Sequence, residues 1–448
     1  MVNENNIVHI DTYGCSANQN NSEILAGILS RANYLITNNI ELANIIILNT
    51  CIVKDKTITK IKRQIQDLKN FSANKNNLLI IAGCMHETEK LKKLKNLNRN
   101  IIFLGTHHFK DILNLIRDYK EGKLTDKKQQ EYLTKNNEIK LCLPKLPNNK
   151  LISIHQISEG CLGNCSFCLT KLAKHSLFSY PKEKIIESIE QDLANGAKEI
   201  WLTSQDNASY GLDLKNNKKE NQKHELISLL KNILQLKHKF KLRLGMVNPN
   251  NILPILDELI EIYKNAKIYK FLHIPIQSAS NLILKHMNRA YAIEQAEQII
   301  SKFKKSFPNI VIATDIIVGY PIETESDHKL NKEFLEKFKP DVLNLSKFSS
   351  HKQTQVGKLK VLKNSIIKSR TTELMQLHRQ TAKENKQKYQ NKEIKVFINK
   401  HINQDLYEAR DENYNIILIK TSKENLGKEV SAKIKEVGVH HMIGETIK

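Results

Sequence analysis

The sequence predicts an α/β protein in three parts: a doubly wound α/β domain, a partial (β/α) barrel, and a small antiparallel β-barrel at the C-terminus. Three observations predict it. Short apolar runs alternate with helically spaced stretches from residue 7 to 118, and six further strand–helix units follow residue 151. After Lys392 the pattern changes to brief alternating runs separated by Asn, Gly and Asp. A chain of 448 residues is also too long for one hydrophobic core.

In the first part, Ile7–Ile10, Ile45–Leu48, Leu78–Ala82 and Ile101–Leu104 suit buried parallel strands, with helical spacing in Ser22–Arg31 and Lys54–Lys69. Cys15, Cys51 and Cys84 each follow one of these strands. The C-terminal ends of parallel strands share one edge, where ligands bind. One post-strand cysteine would pass as a small core residue; three in the same place predict a three-thiolate metal site. Gly14 and Gly83, each just before a cysteine, allow a tight turn there. Residues 119–150, rich in Lys, Asn and Gln and ending near Pro144 and Pro147, read as a linker, with Cys142 a bystander.

Candidate strands then lie at 151–157, 199–204, 240–246, 269–274, 310–317 and 342–346, and helices at 183–195, 224–237, 252–264, 281–306 and 325–338. This implies a parallel sheet curved into a partial or full barrel, with a doubly wound sheet as the competitor. Its first strand leads into Cys161, Cys165 and Cys168, a C-x3-C-x2-C loop. Soft thiolates favour zinc or iron–sulfur. Structural zinc wants four ligands, so three fit better a four-iron cluster that keeps one iron open, with zinc and a distant fourth ligand, or three unrelated thiols, as the alternatives. Polar post-strand loops at Thr203–Asp206, Arg243–Pro249, Pro275–Ser278 and Asp315–Pro321 outline a cofactor pocket at the same mouth.

Residues 360–390 read as one helix, whose Lys363, Lys368, Arg370, Arg379 and Lys383 form either a solvated face or an RNA contact. Ile394–Ile398, Ile416–Ile419 and Val430–Ile434 supply strands of the C-terminal barrel.

A formal net charge of +23 points to a polyanionic partner, nucleic acid first, with a Lys- and Asn-rich compositional bias as the alternative. The excess is +9 over residues 1–150, +13 over 151–390 and +1 over 391–448, so it is no basic tail. Seven cysteines are few and odd in number, which argues against a secreted disulfide scaffold. The N-terminus lacks signal-peptide character, and no apolar run approaches the ~20 residues of a membrane span. A cytoplasmic, reduced, membrane-free protein is expected.

Specific segments resemble the methylthiotransferases of the radical S-adenosylmethionine (SAM) superfamily, closest to the archaeal and eukaryotic branch that modifies tRNA. They are Thr12–Asn18 (TYGCSAN), Leu48–Lys54 (LNTCIVK), Ala82–Met85, Gly160–Lys171, Glu199–Asp206 and Phe271–Ser278. The resemblance spans nearly the whole chain and implies an N-terminal cluster domain (1–118), a linker (119–150), a radical SAM core (151–385) and a TRAM barrel (386–448). It implies two [4Fe-4S] clusters. One on Cys161, Cys165 and Cys168 would bind SAM and cleave it to a 5′-deoxyadenosyl radical. An auxiliary one on Cys15, Cys51 and Cys84 would handle the sulfur. Phe167 is expected near the adenine of SAM, with core packing as its alternative, and Gln205, Arg243 and Gln277 among the polar SAM contacts. The implied substrate is N6-threonylcarbamoyladenosine at position 37, in the anticodon loop of tRNA, converted to its 2-methylthio derivative. An unidentified electron donor is required, and action as a monomer is expected. Two other readings stand beside this one: the same chemistry on an isopentenylated adenosine or a ribosomal-protein aspartate, or a non-catalytic RNA-binding protein with structural clusters. The sequence departs from the family at Lys174-His175 (usually Arg-Gly), at Ala279 and Ile322 (usually Gly), and at Ser350–Thr354. Local loop geometry is where those changes should act.

Overall fold

The structure, a computed structural model, describes residues 6–52, 55–68, 70–71, 74, 77–87, 101–214 and 225–447. The chain forms two compact units. The first comprises 1–148, 154–161 and 168–188; the second comprises 149–153, 162–167 and 189–448.

The first unit is built on five parallel strands: β1 (Ile7–Thr12), β2 (Leu35–Ile36), β3 (Ile45–Thr50), β4 (Leu78–Gly83) and β5 (Ile101–Leu104). Their order is 2-1-3-4-5. The central β3 and β4 are buried along their whole length, which is why they are continuous apolar runs rather than alternating ones. One face packs Leu25, Leu29, Phe109 and Ile112; the other packs Ile58, Ile61 and Ile65. Strand order reverses between β1 and β3, the switch point where such sheets bind ligands. The helix expected at 22–31 begins earlier, at Ser16, because its first turns bury Asn18, Asn20 and Asn21, polar residues invisible to an apolar count. The second helix runs over Asp55–Asp67, and Lys54 and Lys69, the expected ends, lie outside the described residues. Helix Asp126–Glu131 follows, capped by the Thr125 hydroxyl. The chain then returns through the fully buried Lys140.

Strand β6 (Ile152–Gln156) is divided between the units, and β7 (Ser158–Glu159) pairs antiparallel with β8 (Phe178–Ser179) within the first. The second unit carries the parallel pair β9 (Glu199–Thr203) and β10 (Lys241–Leu244). It also carries the parallel set β11 (Phe271–His273), β12 (Val311–Val318) and β13 (Val342–Lys347). Each expected strand after residue 190 is found within two residues of its expected start. The helix expected over 281–306 is two, Asn281–His286 and Ile293–Ser306. Asn288 turns the chain through φ 55°, and the Arg289 N–H caps the first helix on the Leu284 carbonyl. Helix Asn364–Gln387 leads to a closed barrel of β14 (Glu393–Asn403), β15 (Leu406–Arg410), β16 (Ile416–Lys420), β17 (Glu429–Val437) and β18 (Met442–Thr446). All its pairs are antiparallel except β16 with β18, which closes it. Among the described residues, no helix is long and apolar enough to cross a membrane.

Within the second unit, the β15–β16 loop plugs the N-terminal end of the parallel strands. Asp411 accepts hydrogen bonds from the Asn413 and Asn415 N–H groups (3.0 and 2.8 Å), which shapes the loop. Tyr414 then packs its ring 6.0 Å from Trp201, 5.0 Å from Tyr269 and 4.9 Å from Phe271. The Arg243 guanidinium lies 5.4 Å from the Tyr414 ring. Tyr414→Ala is expected to cost about 3–5 kcal/mol, the usual loss for a large buried ring, read as a lowered melting temperature of the full chain.

Candidate active site

Three loops meet at the C-terminal edge of the first sheet. Cys15 follows β1 and is exposed; Cys51 and Cys84 follow β3 and β4 and are buried. Gly14 adopts φ 111°, and a Cβ there would stand 2.7 Å from the Cys51 Cβ and 2.9 Å from its Sγ, so only glycine lets these two loops approach. Gly83, at φ 90°, passes as closely beside Asn49 and Thr50. Hydrogen bonds fix the rest. Asn18 Nδ2 donates to the carbonyls of Tyr13 (2.7 Å) and Thr50 (2.9 Å). The Thr50 hydroxyl donates to the Ala82 carbonyl (2.6 Å) and accepts the Met85 N–H (3.1 Å), which ties the loop of Cys51 to that of Cys84. Burial, then the neighbouring Cys51 and Cys15, push the Cys84 thiol up to about 12 against the pull of Lys174. Among the described residues, no three His, Cys, Asp or Glu side chains are placed to hold a single metal ion.

The second cysteine loop starts and ends in the first unit. Cys161 donates its N–H to the His175 carbonyl (3.3 Å), and the Lys171 ammonium bonds the Cys161 carbonyl. Helix Thr170–Lys174 follows Cys168, and its neighbours Leu169 and Ala173 share an apolar cluster with Cys84, Met85 and Ile52. Two residues before Cys161, the buried Glu159 joins two buried lysines: its Oε1 accepts from Lys140 at 2.5 Å and from Lys174 at 3.1 Å. His107 lies 3.3 Å from its other oxygen. Although burial pushes the Glu159 carboxyl up, Lys140, Lys174 and His107 hold it at about 2.

Residues 162–167 of the loop belong to the second unit. There the Ser166 hydroxyl donates to the His286 carbonyl and lies 2.9 Å from the Tyr320 hydroxyl. Arg289 donates to Cys165 Sγ (3.4 Å), Asn248 Oδ1 (2.6 Å) and the Pro275 carbonyl (3.0 Å), which links this cysteine to the C-terminal ends of β10 and β11. Of the expected SAM contacts, Phe167 packs against Ile283, Met287, Tyr320 and Phe348. Gln205 lies just past β9, and its Oε1, like the neighbouring Ser204 hydroxyl, is buried with no protein hydrogen-bond partner. Arg243 stands in its aromatic cage with Nε likewise unsatisfied. Gln277, at φ 67°, bridges to β12 through its backbone. Asp206, beside Gln205, is a loop clamp: it accepts from the Asn248 and Ala208 N–H groups and from Asn251 Nδ2 (3.0, 3.1 and 2.6 Å).

Sequence reasoning missed the buried Lys140, the Glu159 contacts, Arg289, and the Asn18–Thr50 ties. The available signal was polar residues beside cysteines in otherwise apolar surroundings. The departures from family pattern separate cleanly. Ala279 and Ile322 keep negative φ, so a Cβ there carries no left-handed strain. His175 sits at φ 58°, ψ −148°, a conformation suited to glycine. His175→Gly is therefore expected to stabilise the protein by about 1 kcal/mol, seen as a raised melting temperature of the full chain.

Two family models match the chain: the uncharacterized protein family UPF0004 over residues 7–105 and the Radical SAM superfamily over residues 156–335. The "Probable threonylcarbamoyladenosine tRNA methylthiotransferase" of Pyrococcus horikoshii is 34% identical over 447 residues, covering 98% of this chain and 99% of that protein. The human threonylcarbamoyladenosine tRNA methylthiotransferase is 30% identical over 445 residues, covering 98% of this chain and 74% of that protein. Among solved structures, the radical S-adenosylmethionine methyltransferase TsrM of Kitasatospora setae, with cobalamin and a [4Fe-4S] cluster bound, shares the fold. Its TM-score is 0.56 at 12% identity, over 79% of this chain and 77% of that one. With near-complete coverage by relatives from archaea to vertebrates, the chain belongs to the threonylcarbamoyladenosine tRNA methylthiotransferase family of radical SAM proteins.

Proposed function

We propose that this protein methylthiolates N6-threonylcarbamoyladenosine at position 37 of tRNA, giving the 2-methylthio derivative. The observation that carries the reading is the gathering of Cys15, Cys51 and Cys84 at one sheet edge, with Cys84 in the same apolar cluster as the residues that follow Cys168. Cys161, Cys165 and Cys168 would hold one [4Fe-4S] cluster, and Cys15, Cys51 and Cys84 a second. A cubane spreads its thiolates over separate irons, so its ligands need not converge on one ion. A buried thiol such as Cys84, hard to ionise alone, is deprotonated outright on a metal. When bound, these groups and SAM supply the radical and the sulfur for insertion at an unreactive C–H bond.

The chain's own residues supply the positioning. Ser204 and Gln205 offer buried polar atoms that lack protein partners, the kind a polar cofactor satisfies. Arg243 and Gln277 are further candidates for polar contacts to SAM, and Phe167 for an apolar contact to its adenine. Arg289 places a cation against Cys165. We assign the cluster domain to 1–118, a linker to 119–150, the radical SAM core to 151–385 and the TRAM barrel to 386–448. The basic first two segments would hold tRNA phosphates while the anticodon-loop base is splayed into the site, which makes binding salt-dependent. An external electron donor, monomeric action and a cytoplasmic location complete the proposal.

Mass spectrometry of tRNA nucleosides tests it. A strain lacking the gene, with no second copy, is expected to lose 2-methylthio-N6-threonylcarbamoyladenosine and accumulate its precursor. Persistence of the methylthio nucleoside in that strain would sink the assignment.

A further inference from the structure

Glu159 is one carboxylate shared by two buried ammonium groups, and its shorter contact is to Lys140 (2.5 Å against 3.1 Å to Lys174). Glu138, another buried carboxyl, stands on the Lys140 side, and burial pushes its proton affinity up. His107 is held neutral by burial, with its pKa down at about 4. Against the cost of burial, Glu159 and then Cys84 raise the proton affinity of Lys174, whereas burial lowers that of Lys140. Its helix packs on the turn that carries Cys84, and Lys174 itself is almost wholly buried there. An ammonium this deep is costly unless a further negative charge accompanies it. Three thiolates on an oxidised cubane core leave a net negative charge, and one-electron reduction increases it.

We propose that Lys174 is an electrostatic positioning residue for the cluster of Cys15, Cys51 and Cys84: its ammonium, fixed by Glu159, offsets that cluster's negative charge and raises its reduction potential. It bonds Glu159, two residues before Cys161, while its helix packs on the turn that carries Cys84. The inference rests on the two-cluster reading above.

The test uses full-length protein carrying Cys161→Ala, Cys165→Ala and Cys168→Ala, so that only the N-terminal cluster remains. After anaerobic reconstitution, iron is counted, and the cluster is titrated with dithionite and mediators under EPR. Lys174→Met, which keeps length but not charge, is expected to lower the reduced-to-oxidised ratio at a fixed potential at least tenfold, or 59 mV for one electron. Lys174→Arg is expected to leave the ratio within about threefold, about half that shift on the same scale. Full iron with an unmoved ratio in Lys174→Met overturns the inference. If Lys174→Met fails to load iron, loading of Lys174→Arg supports the role of charge, and equal failure of both overturns it. Iron that persists after Cys15, Cys51 and Cys84 are also changed to Ala sinks the two-cluster reading, and the inference with it.

Discussion

Alanine at Cys161, Cys165 and Cys168 is expected to abolish SAM cleavage and methylthio product together, while about half of roughly eight irons stays bound. No other sulfur neighbours this loop in sequence, so nothing nearby can take over three ligand positions at once. Alanine at Cys15, Cys51 and Cys84 is expected to remove the other half of the iron and all methylthio product, yet leave 5′-deoxyadenosine formation standing. The two outcomes differ because the sets occupy different parts of the fold. The N-terminal trio depends on the sheet edge shaped by Gly14, Asn18 and Thr50; Cys165 depends on Arg289 and on the anchor of Ser166. Iron content and 5′-deoxyadenosine by liquid chromatography read both variants in one experiment. Loss of SAM cleavage in the N-terminal variant, with the loop cluster intact, would show that this division of labour is wrong.

What could be read from sequence followed from burial. β3 and β4 are apolar throughout because both faces are covered, and their following cysteines stood out against that background. Most of β12 is buried likewise, whereas β10 and β13 show through alternating leucines. Helix breaks were not: nothing apolar changes at Asn288, where one backbone angle splits a continuous pattern. In the C-terminal barrel, Leu406–Arg410 and Met442–Thr446 escaped because each mixes polar and apolar residues in a short run. The site divides similarly. Thiols announce metal chemistry by type and spacing, whereas Lys140, Glu159 and Lys174 look like solvated surface until three distant segments fold onto one point. Pairing across such sequence distances is a tertiary fact, without a local signature.

That same point governs the stability of the first unit. Glu159→Ala is expected to cost about 3–5 kcal/mol, because it leaves Lys140 and Lys174 buried and unpaired. In a unit of this size, its melting temperature should fall by roughly 6–20 °C. Replacing the whole group at once, with Met at both lysines and Leu at Glu159, should recover much of the loss, since a packed apolar set needs no counter-charge. Acid should act on the network in two steps. His107 titrates near 6.5 when unfolded and near 4 when buried, so below 6.5 the unfolded chain binds a proton that the native state refuses. Its contribution is therefore intact above pH 6.5 and lost as pH falls toward about 4. The Glu159 carboxyl works lower: it contributes above its ordinary 4.5, and that contribution fades as pH falls toward about 2. His107→Asn should flatten the upper step only in part, because the buried His378 in the second unit, also lowered to about 4, titrates over the same window. Melting curves of the native protein, His107→Asn and His378→Asn between pH 8 and 4 separate the two. A wild-type melting temperature unchanged across that range would mean that neither histidine is held neutral by its burial.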